Sequence, residues 1–309
     1  MKLTVECFDK VKKDCLKFIK SQETKLDKFK NKERMIRLFL IPLCFWISKK
    51  ADKKRPYFVG LAGGQGTGKT TVSSIIEIVL RKYFKLNIFK ISIDDFYKTR
   101  KERISLSKKI HPMLLTRGVP GTHDVNMMSN FFKKTKSKNF RSLKLPKFDK
   151  AIDDRCDKKL WYSIKKRPDV IIFEGWCVGA RAENNNTLKK HINALERKED
   201  KKLVWRKFVN QQLKLKYKKL YAQLDCLLFL KAGSFSLLQK WRLKQEKKLR
   251  LNNVGIKNSK IMNKKDVIKF MQTYQRVTQN MFKNMPKYAS IILNLNSNHQ
   301  IKSLEYKKK

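Results

Sequence analysis

The strongest constraint on this chain is the run FVGLAGGQGTGKTTV, from Phe58 to Val72. An apolar stretch passes into a glycine-rich turn and then into a segment where Val72, Ile75, Ile76, Val79, Leu80 and Tyr83 keep to one helical face. Gly63, Gly64, Gln65, Gly66, Thr67, Gly68, Lys69 and Thr70 fit the phosphate-loop pattern G-x-x-x-x-G-K-[ST]. Each requirement has a cause. Glycines let the backbone fold tightly enough for successive N–H groups to face phosphate oxygens, and the following helix turns its positive end to the same anion. Lys69 is suited to the β- and γ-phosphates and the Thr70 hydroxyl to Mg²⁺; Thr71 completes the nucleotide-binding set. ATP with Mg²⁺ is the cofactor this loop implies.

Strand-like runs recur at 57–63, 87–93, 169–175, 226–233 and 290–296, most of them continuously apolar, as strands buried on both faces require. Alternation with helical segments predicts an α/β, three-layer P-loop fold with a mainly parallel, five-stranded sheet. Val267, Phe270, Met271, Tyr274, Val277 and Met281 form a helical stripe that reads as core. Residues 1–50 read as a helical N-terminal extension, 51–297 as the P-loop domain and 298–309 as a basic C-terminal tail whose final LEYKKK is disordered.

The 309 residues are 41% hydrophobic, enough for an ordinary core, but carry 75 basic against 26 acidic side chains, a net charge of +49. The lysines are spread along the chain instead of gathered in one arm, so they read as solvated surface, with no dedicated nucleic-acid partner expected. The six cysteines show no metal-ligand or disulfide spacing and suit a reducing compartment. LFLIPLCFWI, from Leu38 to Ile47, contains Pro42 and is far shorter than the roughly 20 residues of a spanning helix, so it reads as a buried helix. No secretory leader is visible at the start, and a cytoplasmic protein without membrane partners is expected.

A P-loop needs a second acid for its metal, and Glu174 closes the strand-like run DVIIFEG at the sheet edge where ligands of open α/β folds bind. Transfer to a hydroxyl also needs a carboxylate to order the nucleophile and take its proton. SIDDFYKTR offers Asp94 and Asp95 where the second strand ends: one the base, the other a helper at the metal or a helix cap. Asp94 is thus read as base and, with Thr70 and Glu174, as metal ligand, while Asp95 and Tyr97 join the acceptor pocket. LLTRGVPGTHD adds a turn fixed by Gly118, Pro120 and Gly121, from which Arg117 offers a planar fork for a carboxylate and Thr122, His123 and Asp124 offer hydrogen bonds. KWRLKQEKKLR, with Arg242 and Arg250, reads as a cationic lid helix over the transferred group.

GGQGTGKTT, SIDDFY, RGVPGTHD, LPKFDK, FEGWCVGAR and KWRLKQEKKLR, in this order, resemble the D-glycerate 3-kinase family of P-loop kinases over about Tyr57 to Leu295. The resemblance implies a nucleoside-kinase-like fold and phosphorylation of D-glycerate on its 3-hydroxyl. It also implies that Asp94 is the base, as in the related uridine, pantothenate and phosphoribulose kinases, that Lys69, Thr70 and Glu174 keep the phosphate and metal roles, and that Arg242 and Arg250 are the lid arginines. A kinase for one of those other acceptors is the nearest alternative. A basic, nucleic-acid-linked ATPase would draw on the net charge but lacks a compact basic-aromatic motif.

Overall fold

All five apolar runs become neighbouring parallel strands in the computed structural model, which describes residues 2–24, 28–52, 54–252 and 262–307, the side chains of 248–252 excepted. They are β1 (Tyr57–Gly63), β2 (Ile88–Ser92), β3 (Val170–Gly175), β4 (Cys226–Lys231) and β5 (Ile291–Leu295). A sixth strand, β6 (Ile301–Tyr306), runs antiparallel to β5, giving the order β6-β5-β4-β1-β3-β2. This corrects the sequence reading, which left 298–309 as a tail. Ile301 is buried and Leu304 packs on the core, while the lysines between and beyond them suit a solvated edge strand.

The register explains where a site must lie. Glu174 on β3 stands opposite Leu61 of β1 and Ser92 of β2, so the phosphate loop leaving β1 and the Asp94 segment leaving β2 flank it at one rim. That rim is the carboxyl edge of the parallel strands.

Side chains alternate between the two sheet faces. Val59, Leu61, Ile172 and Leu228 face one core, covered by α1 (Lys2–Gln22), by α2 (Ile41–Lys50) with the π-helical turn Ile36–Leu40 before it, and by α3 (Lys69–Lys82). Cys7, Val11, Cys15, Leu40, Cys44 and Ile47 are fully buried there, so the N-terminal helices share the core of the phosphate-loop helix. Phe58, Ile171, Phe173 and Phe229 face the second core, against α4 (Val125–Lys136) and α5 (Val204–Gln212). Two long helices follow late in the chain, α6 (Phe235–Asn252) and α7 (Lys264–Asn284). Val267 and Met271 of α7 face the first core and Tyr274, Val277 and Met281 the second. Among the described residues no helix is long and apolar enough to cross a membrane.

Candidate active site

The phosphate loop is shaped by its own glycines. Gly66 and Gly68 have φ of +78° and +85°, the left-handed region that side chains resist. On the outer side α6 packs close: a Cβ on Gly64 would stand 2.3 Å from Leu238 Cδ1, and one on Gly66 3.2 Å from Trp241 Cβ. At Gly68 a Cβ would meet only the His299 ring, at 3.7 Å. Thr67 Oγ1 donates to the Gly64 carbonyl at 2.9 Å and tightens the turn. Gln65 Oε1 is buried without a partner in the protein, and Thr71 lies half-buried in the first turn of α3. The Lys69 ammonium donates to the carbonyls of Gly63 and Gly64, at 2.9 and 3.1 Å. Burial lowers its pKa, against the pull of the Glu174 and Asp94 charges, so both carboxylates act on the same ammonium.

Glu174 accepts from Thr70 Oγ1 at 3.2 Å on one oxygen and from Ser73 Oγ at 2.7 Å on the other. A hydroxyl and a carboxylate side by side at the mouth of a phosphate loop are the hard oxygen donors that Mg²⁺ takes in company with phosphate, so these residues fit the metal. Ser73, one helical turn beyond the motif, escaped the sequence reading; its i, i+3 spacing from Thr70 on α3 is the signal that could have found it.

Asp94 sits in the 3-10 turn Ile93–Phe96 that follows β2. Its Oδ1 accepts from the Tyr97 hydroxyl at 3.0 Å and its Oδ2 from the Lys150 ammonium at 2.7 Å. Burial alone would raise the Asp94 carboxyl, but the Lys150 ammonium outweighs it, helped by His123 and Tyr97, and holds it below its ordinary value. Its oxygens are thus bonded to Tyr97 and Lys150, and no hydrogen bond joins it to the Thr70–Glu174 pair.

Several expected acceptor contacts are spent inside the protein. Asp95 closes a capping box, accepting from Ser92 N at 3.3 Å, and also accepts from Phe148 N at 3.4 Å. Thr122 is 0% exposed; it accepts from Gly118 N at 3.0 Å and donates to Val119 O at 2.7 Å, so it builds the turn. Asp124 caps α4 through Met127 N at 3.0 Å and pairs with Arg155 at 3.2 Å. Arg117 pairs tightly with Asp153 and lies over the Phe148 ring, so its fork is already occupied.

Tyr97 and His123 do come together beside Asp94. Their rings stack with centroids 4.4 Å apart, and Lys98 N to Thr122 O (2.9 Å) and Asp124 N to Phe96 O (2.7 Å) sew the two segments into a short antiparallel bridge. His123 is 1% exposed, with Nδ1 at 2.7 Å from the Tyr217 hydroxyl and Nε2 without a partner in the protein. Burial pulls its pKa from 6.5 to about 4, so the ring is neutral at physiological pH. Tyr217 belongs to a lysine-rich helical stretch and carries no sequence signal of its own.

On α6, Arg242 is tied to Glu246 and Gln245 along its own helix and lies over the Phe270 ring. Arg250 also lies on α6, with its side chain outside the described residues. Trp241 stacks on His299 from the β5–β6 turn, centroids 4.3 Å apart, beside the phosphate loop.

Comparison with known proteins extends this picture. No protein-family model matches the chain. An uncharacterized kinase of Schizosaccharomyces pombe is 30% identical over 228 residues, covering 71% of this chain and 79% of that protein. The chloroplastic D-glycerate 3-kinase of Arabidopsis thaliana is 26% identical over 67% of this chain, and the match takes in 47% of that longer protein. The solved D-glycerate 3-kinase of Cryptococcus neoformans superposes with a TM-score of 0.73 at 25% identity, covering 88% of this chain and 99% of that one. Likeness sustained along most of this chain, and along most of the Schizosaccharomyces and Cryptococcus proteins, reflects common descent beyond a shared loop, and this ATP-dependent kinase belongs to the D-glycerate 3-kinase family of P-loop kinases.

Proposed function

We propose that this kinase moves the γ-phosphoryl group of ATP to the hydroxyl of a small hydroxy acid, with D-glycerate as acceptor and 3-phosphoglycerate as product. The observation that carries the reading is the position of Asp94: a carboxylate in the turn that leaves β2 at the rim where the phosphate loop leaves β1, with Glu174 of β3 between them. The names of two relatives supply the glycerate.

In this reading Lys69 exchanges its loop carbonyls for the β- and γ-phosphates, at little cost because the carbonyls are replaced by stronger, charge-assisted partners. Thr70 and Glu174 are the residues that would hold Mg²⁺, which when bound withdraws charge from the transferring group. Asp94 takes the hydroxyl proton as the acceptor oxygen attacks phosphorus in line and ADP leaves. The buried, neutral His123 and the Tyr97 hydroxyl line the acceptor side. Arg242 contributes as a lid cation only after releasing Glu246. The six cysteines are all free thiols, in keeping with a cytoplasmic setting.

The test is an acceptor panel with ATP consumption as readout: D-glycerate, L-glycerate, uridine, pantothenate and ribulose 5-phosphate. D-Glycerate is expected to show the highest kcat/KM. Faster turnover of uridine or pantothenate would reject the acceptor assignment and leave the kinase reaction in place.

A further inference from the structure

Asp94 raises a chemical difficulty: a carboxylate paired with a cation is a weak base, yet the Lys150 ammonium sits on its Oδ2 while the Tyr97 hydroxyl holds Oδ1. The Tyr97 hydroxyl is buried and pinned by the stack on His123, so it stays. Lys150 is different. It follows the strand Phe148–Asp149 of a small antiparallel hairpin with Asp154–Arg155, and its side chain is 62% exposed while that of Asp94 is 26% exposed. It can swing outward without unpacking anything.

The neighbouring cations lack this freedom. Arg117 is locked to Asp153, and Arg155 to Asp124 and the Tyr97 carbonyl. Arg103 is fully buried on Asp153 and the carbonyls of Lys98 and Leu115. Each of these arginines is at most 27% exposed and held by more than one partner, so turning to a ligand would cost packing as well as pairing. Lys150 trades one carboxylate for another in a solvated setting, where ion pairs are weak and exchange is cheap.

We infer that Lys150 recognises the acceptor's carboxylate and that this recognition frees the base: the acid draws the ammonium off Asp94, whose released oxygen then receives the hydroxyl proton. The inference rests on the proposal that the acceptor is an acid. The balance is simple. The acceptor O–H bond breaks to Asp94, the new O–P bond forms as the bond to ADP breaks, Lys150 keeps its charge on the acceptor carboxylate, and Asp94 returns its proton to solvent after release. A neutral polyol has nothing to attract Lys150 and meets a base still weakened by its ion pair, so the device selects acids through turnover as well as binding.

The experiment compares D-glycerate with glycerol, which lacks only the carboxylate function, in the wild type, Lys150→Met, Lys150→Arg and the exposed control Lys144→Met. For Lys150→Met the expected result is a rise of about tenfold or more in the D-glycerate KM, consistent with loss of a charged partner. Glycerol turnover should increase, because its base is no longer paired with an ammonium, so the preference for the acid collapses. Lys150→Arg should restore part of that preference and Lys144→Met should match the wild type. A D-glycerate KM within twofold of wild type in Lys150→Met, or equal losses for both acceptors, overturns the inference alone. A wild type that phosphorylates glycerol as well as D-glycerate, or only neutral acceptors, overturns the acid-acceptor proposal and the inference with it.

Discussion

His123 and Asp95 titrate in opposite senses. Burial lowers the histidine from 6.5 to about 4, so between those values the unfolded chain holds a proton that the folded protein refuses, and stability falls as the pH drops through that window. Burial raises Asp95 from 3.8 to about 6, so the folded protein keeps a proton that the unfolded chain has lost, and that contribution disappears as the pH rises towards 6. Over the shared window the two slopes cancel. His123→Asn should uncover the Asp95 slope, with urea-unfolding free energy declining by roughly 1 kcal/mol per pH unit between about pH 4 and 6. A variant whose pH profile parallels the wild type would contradict this pairing. At this scale the sequence was readable where residue type dictates backbone, as with Gly66 and Gly68, and misleading where one side chain has two possible uses. Thr122 and Asp124 are polar groups beside a turn, and the turn and the helix behind it consume them. Arg117 was read as open because its partner, Asp153, is distant in sequence and no local spacing announces it.

At the scale of elements, the turn Gly118–Gly121 sets the acceptor side. Gly118 has a φ of +142°, and a Cβ there would lie 2.2 Å from the Tyr274 hydroxyl on α7; at Gly121, with φ of +104°, it would lie 2.5 Å from Phe208 on α5. The turn is wedged against two helices with no room for a side chain. Gly118→Ala should cost roughly 1–3 kcal/mol in denaturant unfolding and raise the acceptor KM more than the ATP KM, because the displaced turn carries His123. Unchanged stability would mean that Tyr274 yields easily. The five parallel strands were legible because burial on both faces leaves continuous apolar runs. β6 was not, because an edge strand needs only Ile301 and Leu304 inside and leaves its lysines to water, which in a chain so rich in lysine resembles a solvated end.

For the molecule as a whole, the phosphate-loop helix is a shared wall. α3 buries Ile75, Ile76 and Val79 in the same core that holds Cys7, Val11 and Ile47, so the first fifty residues support the nucleotide site mechanically. The net charge of +49 favours the approach of anions to the protein as a whole. The far end of the chain matters as well. The β5–β6 turn brings His299 onto Trp241, against the loop glycines. Deleting 296–309 should therefore raise the ATP KM by about tenfold and lower the melting temperature, whereas removing only 308–309 should do neither. Anyone trimming the gene for expression would do well to leave this hairpin whole, because its turn stands beside the phosphate loop, whereas Tyr306, opposite Ile291 at the start of β5, lies at the far edge of the sheet.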